Sequence, residues 1–434
     1  MDLAVALVGH RYNWNSLSAL SGAIEVDARL SGIHLVFVRP EVAASRLAGL
    51  AAAHETVIAG FSFTTPDLLR TAAQVAVLRR DLPQERYPNL LLVAGGPHAT
   101  ALPRSALEIG FDYVVVGEGE AVFPDLLCAL GSGERTPWLR GVAYRAGDGS
   151  LVQQGRARPI NLADYPPFSV RFRRQGPIEI TRGCPHHCRF CAAPFLAGRR
   201  VRHRPLRAVL SGVETCLAHG IDQIRFIAPN AFAYGSATEE PALDVLAELL
   251  RISSAQAGRE NVFLGSFPSE VRPESVTPAA VELVARYCGN DNLVIGAQSG
   301  SPRMLEAMRR GHTVDQVRRA VQITHAAGLR ANVDFIFGLP GETAEDKLLS
   351  RRFAEELATL GARIHSHAFM PLPGSAWAHE SPGEIDDSTA RWLGGLAGEG
   401  REYGSWKKQA AEAHAIAAFL ARQGPLAPPH DMEE

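Results

Sequence analysis

Short apolar runs alternate with longer amphipathic stretches through the first 130 residues of the chain. The apolar runs have the length and the Val, Ile and Leu content of strands that are buried on both faces, at 3–8, 34–38, 56–63, 89–94 and 113–116. The stretches between them have the spacing of helices, at 16–30, 41–53, 66–80 and 103–109. This alternation predicts an open, doubly wound, Rossmann-like α/β sheet.

A different pattern then separates this region from a second series of βα units. Residues 142–153 alternate around a Gly-Asp-Gly turn and predict a hairpin that serves as a connector, and Asp164-Tyr-Pro-Pro-Phe predicts a stiff linker. The second series places strands at 178–180, 223–228, 262–266, 293–298, 331–337 and 363–370. Six units are too few for a closed eight-unit barrel, so we expect a partial (β/α)6 barrel.

The tail from residue 376 predicts a helical C-terminal cap with an alanine-rich helix at 407–423, followed by a frayed end at 424–434. These patterns predict four segments, namely a Rossmann-like domain at 1–135, a hairpin and linker at 136–170, a partial barrel at 171–375 and a helical region at 376–434. Proteins with parallel βα architecture bind their ligands beyond the carboxyl ends of the strands, so we expect the site residues in the loops there.

Composition narrows the class of protein. The chain has 434 residues, of which 46% are hydrophobic and 21% charged, and no apolar stretch approaches the length of a membrane span. It starts without a basic segment or a cleavage site, so we expect a reducing cytoplasm. The net charge of −2 gives no argument for a nucleic-acid or membrane partner. Of the six cysteines, Cys128, Cys216 and Cys288 lie in predicted helices, where we expect buried, small apolar groups.

The other three cysteines, Cys184, Cys188 and Cys191, have a C-x3-C-x2-C spacing in a loop after the first strand of the second series. Three thiolates can hold three irons of a 4Fe–4S cluster and leave the fourth iron open to a small molecule. A zinc site is the alternative, with His186 or His187 as the fourth ligand, although zinc favours paired C-x2-C units.

This loop, with the aromatic Phe190 before its last cysteine, resembles the signature of the radical SAM enzymes. The resemblance implies that S-adenosylmethionine (SAM) chelates the open iron and that one electron from the cluster cleaves it to a 5′-deoxyadenosyl radical. It also implies SAM contacts at Phe190 and at the ends of later strands. The candidates there are Asn230, Ser269, Glu270, Gln298 and Ser299, with Arg272 beside them. A turn or cap that satisfies backbone groups is the alternative role for each polar residue.

The turns of the first region resemble the cobalamin-binding domain of the cobalamin-dependent radical SAM enzymes. Three turns carry the resemblance: Ser-Phe-Thr-Thr after the third strand, Gly-Gly-Pro-His after the fourth, and Gly-Glu-Gly after the fifth. The cobalamin contacts that it implies are Ser62, Thr64, Thr65, Gly95, Gly96, Pro97, His98, Gly117, Glu118 and Gly119. The loop after the first strand lacks the Asp-x-His-x-x-Gly of methionine-synthase-like domains. His10 in that loop is either a cobalt ligand or a hydrogen-bonded loop residue.

The two resemblances together imply an enzyme with a 4Fe–4S cluster, SAM and cobalamin, which methylates an unactivated carbon of a small-molecule or peptide substrate. Ring formation or rearrangement without methyl transfer, and a non-enzymatic sensor, are the alternatives. A methylthiotransferase is disfavoured because only Cys128 precedes the triad. This chemistry requires no general base, and none is assigned. The basic run Arg199, Arg200, Arg202, His203 and Arg204 is a solvated loop, a docking patch for a reductant such as flavodoxin or ferredoxin, or a contact for an anionic substrate.

Overall fold

The computed structural model describes residues 2–10, 13–238 and 240–423. Contacts between Cα atoms divide the chain into two compact units. The first contains the residues up to Gln175 together with those from Ile416 onward, and the second is Gly176–Ala415. Within the described residues, no helix combines the length and the apolar character that crossing a membrane requires.

The first unit is built on a seven-stranded sheet. Its strands are β1 (Leu3–Val8), β2 (His34–Val38), β3 (Thr56–Ser62), β4 (Leu90–Gly95), β5 (Tyr113–Val115), β6 (Val142–Arg145) and β7 (Leu151–Gln153). They lie in the order β2-β1-β3-β4-β5-β6-β7, and β1 to β5 pair in parallel. In such a sheet the crevice for a ligand opens beyond the carboxyl ends, where the order reverses between β1 and β3. The predicted Rossmann-like fold is confirmed.

Helices connect these strands and bury them. They are α1 (Trp14–Val26), α2 (Ala43–Ala53), α3 (Leu68–Asp81), α4 (Gly96–Ala101), α5 (Pro103–Glu108) and α6 (Gly119–Gly131), with short 3-10 turns at Ala28–Leu30, Pro40–Val42 and Thr65–Asp67. Every residue of β1 and β3 is buried, as expected for strands covered on both faces. Large aliphatic side chains of β1 and α1 pack in one core cluster, among them Val5, Leu7, Leu17 and Ile24.

The predicted hairpin forms, but it is part of the sheet and not only a connector. β6 pairs antiparallel with β5, with Val142 opposite Val115, and β7 pairs antiparallel with β6. The alternation of residues 142–153 indicates a hairpin but carries no information about which sheet edge it joins. The edge of β5 was open for pairing, and the hairpin covers it.

The second unit contains an open arc of parallel strands. β8 (Ile178–Glu179), β11 (Ile224–Ile227) and β12 (Val262–Phe263) form one parallel sheet, and β13 (Asn292–Gln298), β14 (Arg330–Phe337), β15 (Arg363–Ala368) and β16 (Glu402–Tyr403) form another. Val294 N–H donates to the carbonyl of Gly265 (2.8 Å), and Val271 N–H donates to the carbonyl of Val294 (2.8 Å), so backbone hydrogen bonds join the two sheets. The predicted partial barrel is confirmed.

Two details of the arc differ from the sequence prediction. The strand predicted at 262–266 ends at Phe263, because the chain turns at Gly265, where φ is +69°. A seventh parallel strand, β16, pairs with β15 and lies in the tail that was predicted to be helical. Two residues are too few to produce a strand pattern that can be recognised in a sequence.

Helices and a short ribbon complete the second unit. The ribbon is β9 (Thr181–Arg182) with β10 (Arg202–His203). The helices are α7 (Ala193–Ala197), α8 (Leu206–Ala218), α9 (Leu243–Ala257), α10 (Pro278–Tyr287), α11 (Pro302–Ala307), α12 (Val314–Ala326), α13 (Ala344–Thr359) and α14 (Asp387–Gly398), with 3-10 turns at Ala231–Ala233, Arg259–Asn261 and Pro273–Ser275. The last helix, α15 (Trp406–Arg422), begins in this unit, and its residues from Ile416 onward belong to the first unit. The helices α14 and α15 confirm a helical C-terminal region, and the predicted frayed end at 424–434 lies outside the described residues.

Candidate cofactor sites

The three cysteines of the C-x3-C-x2-C motif lie in one loop between β9 and α7. Cys191 N–H donates to the carbonyl of Cys188 (3.0 Å), and Cys184 N–H donates to the carbonyl of Gly198 (3.1 Å). All three are free thiols, and Cys188 is buried. Burial raises the pKa of the Cys191 thiol to about 11, and the charges of Cys188 and Cys184 add to this shift. The thiols are therefore close enough to repel one another as thiolates, and a bound cation relieves that repulsion.

Glycine is required directly before the motif. Gly183 has a φ of +93°, and a Cβ there would lie 2.4 Å from the carbonyl oxygen of Arg200. The backbone at Arg200, after the motif, therefore passes close to Gly183, which directly precedes the motif. This close approach closes the cysteine loop.

Two buried guanidinium groups contact the central thiol. One terminal nitrogen of Arg310 lies 3.5 Å from Sγ of Cys188, and one of Arg272 lies 3.8 Å from the same sulfur. Both arginines are nearly inaccessible to solvent, at 4% and 3% exposure. Their charge would compensate the negative charge that three thiolates would bring into the interior on binding a cluster. The side chains present thus fit an anionic iron–sulfur cluster.

An acidic side chain, Glu274, fixes Arg272. Glu274 accepts a hydrogen bond from Nε of Arg272 (2.5 Å), and His312 lies 3.5 Å from the same carboxylate. Burial alone would raise the pKa of Glu274, but the contact with His312 and the charge of Arg272 lower it to about 2. The carboxylate is therefore ionised and holds Arg272 in place beside Cys188.

Glu270, a predicted SAM contact, lies in the same region. Burial raises the pKa of its carboxyl group, whereas the charge of Arg310 opposes that shift. Its charge also acts on Cys191, so the carboxylate is near the cysteine loop. The backbone carbonyl of Glu270 accepts a hydrogen bond from Ala231 N–H (2.9 Å), which ties the ends of β11 and β12 together.

Asn230 and Ser269, two other predicted SAM contacts, use their polar atoms within the unit. Oδ1 of Asn230 accepts hydrogen bonds from the backbone of Arg272 (3.3 Å) and from the hydroxyl of Ser275 (3.0 Å). The hydroxyl of Ser269 donates to the carbonyl of Ala228 (2.9 Å). Both side chains thus shape the loops that carry Glu270 and Arg272.

The remaining predicted SAM contacts lie in three different environments. Gln298 is buried at the end of β13 with a φ of +73°, a backbone conformation that is rare for residues other than glycine. The hydroxyl of Ser299 lies 3.1 Å from that of Ser350 in α13 and therefore on the helical side of the sheet. Phe190 packs against an apolar cluster that includes Met304 and Trp377. The structure does not bring these three side chains together.

In the first unit, the predicted cobalamin contacts occupy the carboxyl ends of β3, β4 and β5. Thr64, Gly95, Gly96, Pro97, Gly117 and Gly119 are partly exposed, whereas Ser62, Thr65, His98 and Glu118 are buried. This edge is lined by main chain and small side chains at the position where doubly wound sheets bind ligands. The residues present fit a large, flat cofactor such as a corrin.

The buried members of this set hold the turns. Nδ1 of His98 lies 3.1 Å from the hydroxyl of Thr65, and Nε2 lies 3.2 Å from that of Ser105. Burial lowers the pKa of His98 to about 4, so the ring is neutral and both nitrogens have protein partners. Gly96 has a φ of +86°, and a Cβ there would lie 2.7 Å from Oγ of Ser62. The β3 and β4 turns therefore pack directly against each other.

The β5 turn and the β1 loop complete this edge. Gly117 N–H donates to the hydroxyl of Thr100 (3.0 Å), and the carboxylate of Glu118 accepts from Ile160 N–H (2.9 Å). In the β1 loop, His10 N–H donates to Oδ1 of Asn13 (2.9 Å), and burial lowers the pKa of the His10 ring. The lower pKa keeps the ring neutral, the form in which imidazole binds metals.

The basic run after the cysteines is not one surface. Arg199 and Arg200 are exposed, but Arg204 is buried and donates to the carbonyl of Glu179 (2.9 Å). His203 lies between the hydroxyl of Thr181 (2.9 Å) and the carbonyl of Ser236 (2.8 Å). Arg202 donates to the carbonyl of Ala197 (2.9 Å). Arg199 and Arg200 are thus the fully exposed arginines of this run.

Arg310 is a site residue that sequence reasoning missed. It follows α11 and is separated from Cys188 by 122 residues, and no local pattern marks it. A buried arginine is not distinguishable in sequence from a solvated one, because both occur in polar turns.

Comparison with known proteins supports both cofactor assignments. A model of the radical SAM superfamily matches residues 178–354, and a model of the B12 binding domain matches residues 5–127. An uncharacterized protein of Methanopyrus kandleri is 28% identical over 339 residues, which are 67% of this chain and 62% of that protein. An uncharacterized methyltransferase of Pyrococcus horikoshii is 29% identical over 316 residues, which are 69% of this chain and 64% of that protein. The match thus spans less than two thirds of either relative.

The fold is shared with a solved structure. The radical S-adenosylmethionine methyltransferase TsrM from Kitasatospora setae, with cobalamin and a [4Fe-4S] cluster bound, superposes with a TM-score of 0.68 at 18% identity, covering 87% of this chain and 77% of that one. The same enzyme with tryptophan substrate and a SAM analogue gives 0.66. The B12 binding region precedes the radical SAM region in this chain. The chain therefore belongs to the cobalamin-dependent radical SAM proteins, whose cofactors are a 4Fe–4S cluster, SAM and cobalamin.

Proposed function

We propose that this protein is a cobalamin-dependent radical SAM methyltransferase that methylates an unactivated carbon of a small-molecule or peptide substrate. The observation that carries the proposal is the presence, on one chain, of a three-thiol loop flanked by two buried guanidinium groups and of a doubly wound B12-binding fold. When bound, the cofactors supply an electron, a radical precursor and a methyl carrier.

The side chains of the second unit have defined parts in this proposal. Cys184, Cys188 and Cys191 hold three irons, which leaves one iron for SAM. Arg272 and Arg310 balance the charge of the thiolates. Glu270 lies near enough to Cys191 for its negative charge to raise the pKa of that thiol. It is our candidate for the contact with the SAM amine. Asn230 and Ser269 shape the loops that carry Glu270 and Arg272. Phe190, Asn230, Ser269, Gln298 and Ser299 stay our proposed further contacts for SAM.

The first unit is proposed to hold cobalamin at the ends of β3, β4 and β5. Thr64, Gly95, Gly96, Pro97, Gly117 and Gly119 supply accessible main chain and small side chains, and Ser62, Thr65, His98 and Glu118 hold the turns. We assign this role to segment 1–135, the hairpin and linker to 136–170, the cluster and SAM to 171–375 and a covering role to 376–434. The two exposed arginines, Arg199 and Arg200, suit an acidic reductant such as flavodoxin or ferredoxin.

The relatives support methyl transfer. One carries the name methyltransferase, and the solved neighbour is a methyltransferase with a tryptophan substrate. A small molecule is accordingly the substrate class that we propose first, and we expect no nucleic-acid substrate, since the net charge is −2.

The test follows the methyl group from SAM. Anaerobically reconstituted protein is incubated with SAM that carries a trideuterated methyl group, reduced cobalamin and a chemical reductant. We expect trideuterated methylcobalamin by mass spectrometry, and a Cys184→Ala, Cys188→Ala, Cys191→Ala variant serves as the control that lacks cluster-dependent SAM cleavage. Formation of 5′-deoxyadenosine without any labelled methylcobalamin would contradict methyl transfer and favour ring formation or rearrangement.

A further inference from the structure

Three titratable side chains outside the cysteine loop meet on one face of the β13–β16 sheet. Asp334 of β14 and His365 of β15 are directly opposite in the strand register, and His367 follows on the same strand. Oδ1 of Asp334 lies 2.9 Å from Nδ1 of His365 and 3.9 Å from Nε2 of His367. The proposed function gives none of them a part.

Helix α13 covers the opposite face of this sheet. Phe335 of β14 packs against Phe353 of α13, so the side chains of alternate residues point to the opposite side of the sheet. On the face that carries Asp334, the side chains of His365 and His367 are 29% and 27% exposed to solvent. The charges of Asp334 and His367 also act on Glu270, which places these groups on the side of the sheet where the cysteine loop lies.

The amide of Gln409 determines which nitrogen of His367 carries a proton. Its Oε1 accepts a hydrogen bond from the backbone N–H of Ala368 (3.1 Å), a group that can only donate. Nε2 of Gln409 therefore faces Nδ1 of His367 (3.2 Å) and must donate to it. The neutral His367 ring consequently carries its proton on Nε2, the nitrogen nearer to Asp334.

The tautomer of His365 follows from the same carboxylate. Burial would raise the pKa of Asp334, but the contacts with His365 and His367 outweigh it and lower the pKa, so the group is ionised. An ionised carboxylate accepts only, and Nδ1 of His365 therefore carries the proton. Nε2 of His365 keeps its lone pair and has no hydrogen-bond partner in the described part of the chain. Tyr403 stacks on the ring at 4.3 Å and 4° and holds its orientation.

A metal ion is the alternative occupant, because the three ligand atoms lie within 4.8 Å of one another. Two histidines and one carboxylate form a common site for iron and other divalent cations. That site would use lone pairs on Nδ1 of His365 and Nε2 of His367, which are the two nitrogens that carry protons here. A bound metal would have to displace both protons, whereas Nε2 of His365 already offers a lone pair to a proton donor.

We infer that Asp334, His365 and His367 form a proton-accepting site for a small molecule with a weakly acidic N–H or O–H group. Nε2 of His365 accepts the hydrogen bond and then the proton: the N–H or O–H bond of the ligand breaks, its electron pair stays on the ligand, and an N–H bond forms on His365. No electron is transferred to or from the protein. Asp334 is a positioning residue that stabilises the resulting imidazolium, and Gln409 fixes His367.

Nitrogen NMR of the histidine side chains tests the tautomers in the wild-type protein with its oxidised cluster. We expect the Nδ1–H form for His365 and the Nε2–H form for His367, with His414, which is exposed, as the internal reference. In Gln409→Glu, the carboxylate cannot donate, so His367 should acquire a proton on Nδ1, while the same change at the surface, Gln256→Glu, should alter neither ring. An Nε2–H form of His365 in the wild type overturns the inference.

Two titrations test the occupant. Phenol, which has an O–H donor, should move the Nε2 resonance of His365, and anisole, which has the same ring without the donor, should not. Equal shifts with both compounds, or none with either, overturn the ligand class. Zinc added to the triple cysteine variant should leave both histidines unchanged, and a stoichiometric shift of both rings would establish the metal site instead.

Discussion

At the scale of single residues, Arg310 places a positive charge beside the cysteine loop. Its guanidinium lies 3.5 Å from Sγ of Cys188, and its other terminal nitrogen donates to the carbonyl of Gly296 (2.8 Å). Positive charge and N–H groups beside a cluster sulfur stabilise the reduced, more negative cluster.

Replacing this arginine should therefore lower the reduction potential of the cluster. In Arg310→Gln we expect a more negative midpoint in an EPR-monitored redox titration, because the charge near Cys188 is lost. Arg309→Gln changes the exposed neighbour and should leave the midpoint in place. An unchanged midpoint in folded, cluster-loaded Arg310→Gln would show that the guanidinium does not tune the cluster.

Glu342 links stability to pH. Burial raises its pKa to about 7, one carboxylate oxygen accepts from Gly338 N–H (3.1 Å), and the other is buried without a partner in the described residues. The folded state thus binds a proton that the unfolded state has lost above its ordinary pKa near 4.5. Stability from this group is complete below that value and declines as the pH rises through about 7.

Glu342→Gln should remove that decline. We expect the variant to gain about 2 kcal/mol over the wild type at pH 8 and little at pH 5, since its neutral amide avoids a buried charge. Chemical denaturation at the two pH values measures this, with the exposed Glu306→Gln as the control. An equal effect of Glu342→Gln at both pH values would contradict the shift.

The cysteine loop could be identified from the sequence as a candidate cluster site, whereas Arg310 and the Asp334 cluster could not be identified. A cluster motif is local, so its spacing alone indicates three ligands. Arg310 reaches Cys188 only through the tertiary fold. The sequence does contain one indication of His365 and His367. Polar residues alternate with other residues in β15, whereas parallel strands are usually apolar on both faces.

At the scale of elements, the turn after β4 determines how β3 and β4 end together. Gly96 combines a φ of +86° with a Cβ position 2.7 Å from Oγ of Ser62 and 2.9 Å from the backbone nitrogen of Phe63. A side chain there would be strained and would also displace the neighbouring turn.

Gly96→Ala should therefore destabilise the first unit more than a matched glycine substitution. Gly133 has a similar φ of +91° but open space around its Cβ position, so Gly133→Ala measures the strain without the clash. We expect a loss of about 1 kcal/mol for Gly133→Ala and at least about 2 kcal/mol for Gly96→Ala. Equal losses in denaturant unfolding would show that the turns do not pack as described.

The parallel strands could be predicted because their apolar runs are long and bounded by turns. Short elements could not. β16 has two residues, and its pairing with β15 depends on the tail reaching that edge of the sheet. The hairpin was predictable as a hairpin, but its pairing with β5 depends on an open edge that the sequence does not mark.

At the scale of the whole molecule, two independently built units each carry one part of the chemistry. The first has the strand order of a doubly wound sheet, with small residues at its carboxyl edge. The second has an arc of parallel strands with the cysteine loop after its first strand. The central claim is that one chain holds both a cluster and cobalamin.

Anaerobic reconstitution with iron, sulfide and hydroxocobalamin, followed by removal of unbound material and measurement of iron and cobalt per chain, tests this claim most directly. We expect roughly four irons and one cobalamin in the wild type. In Cys184→Ala, Cys188→Ala, Cys191→Ala the iron should be lost while the cobalamin remains, because the cysteines belong to the second unit only. Wild-type protein that retains no cobalamin, or a triple variant that keeps its iron, would contradict the account.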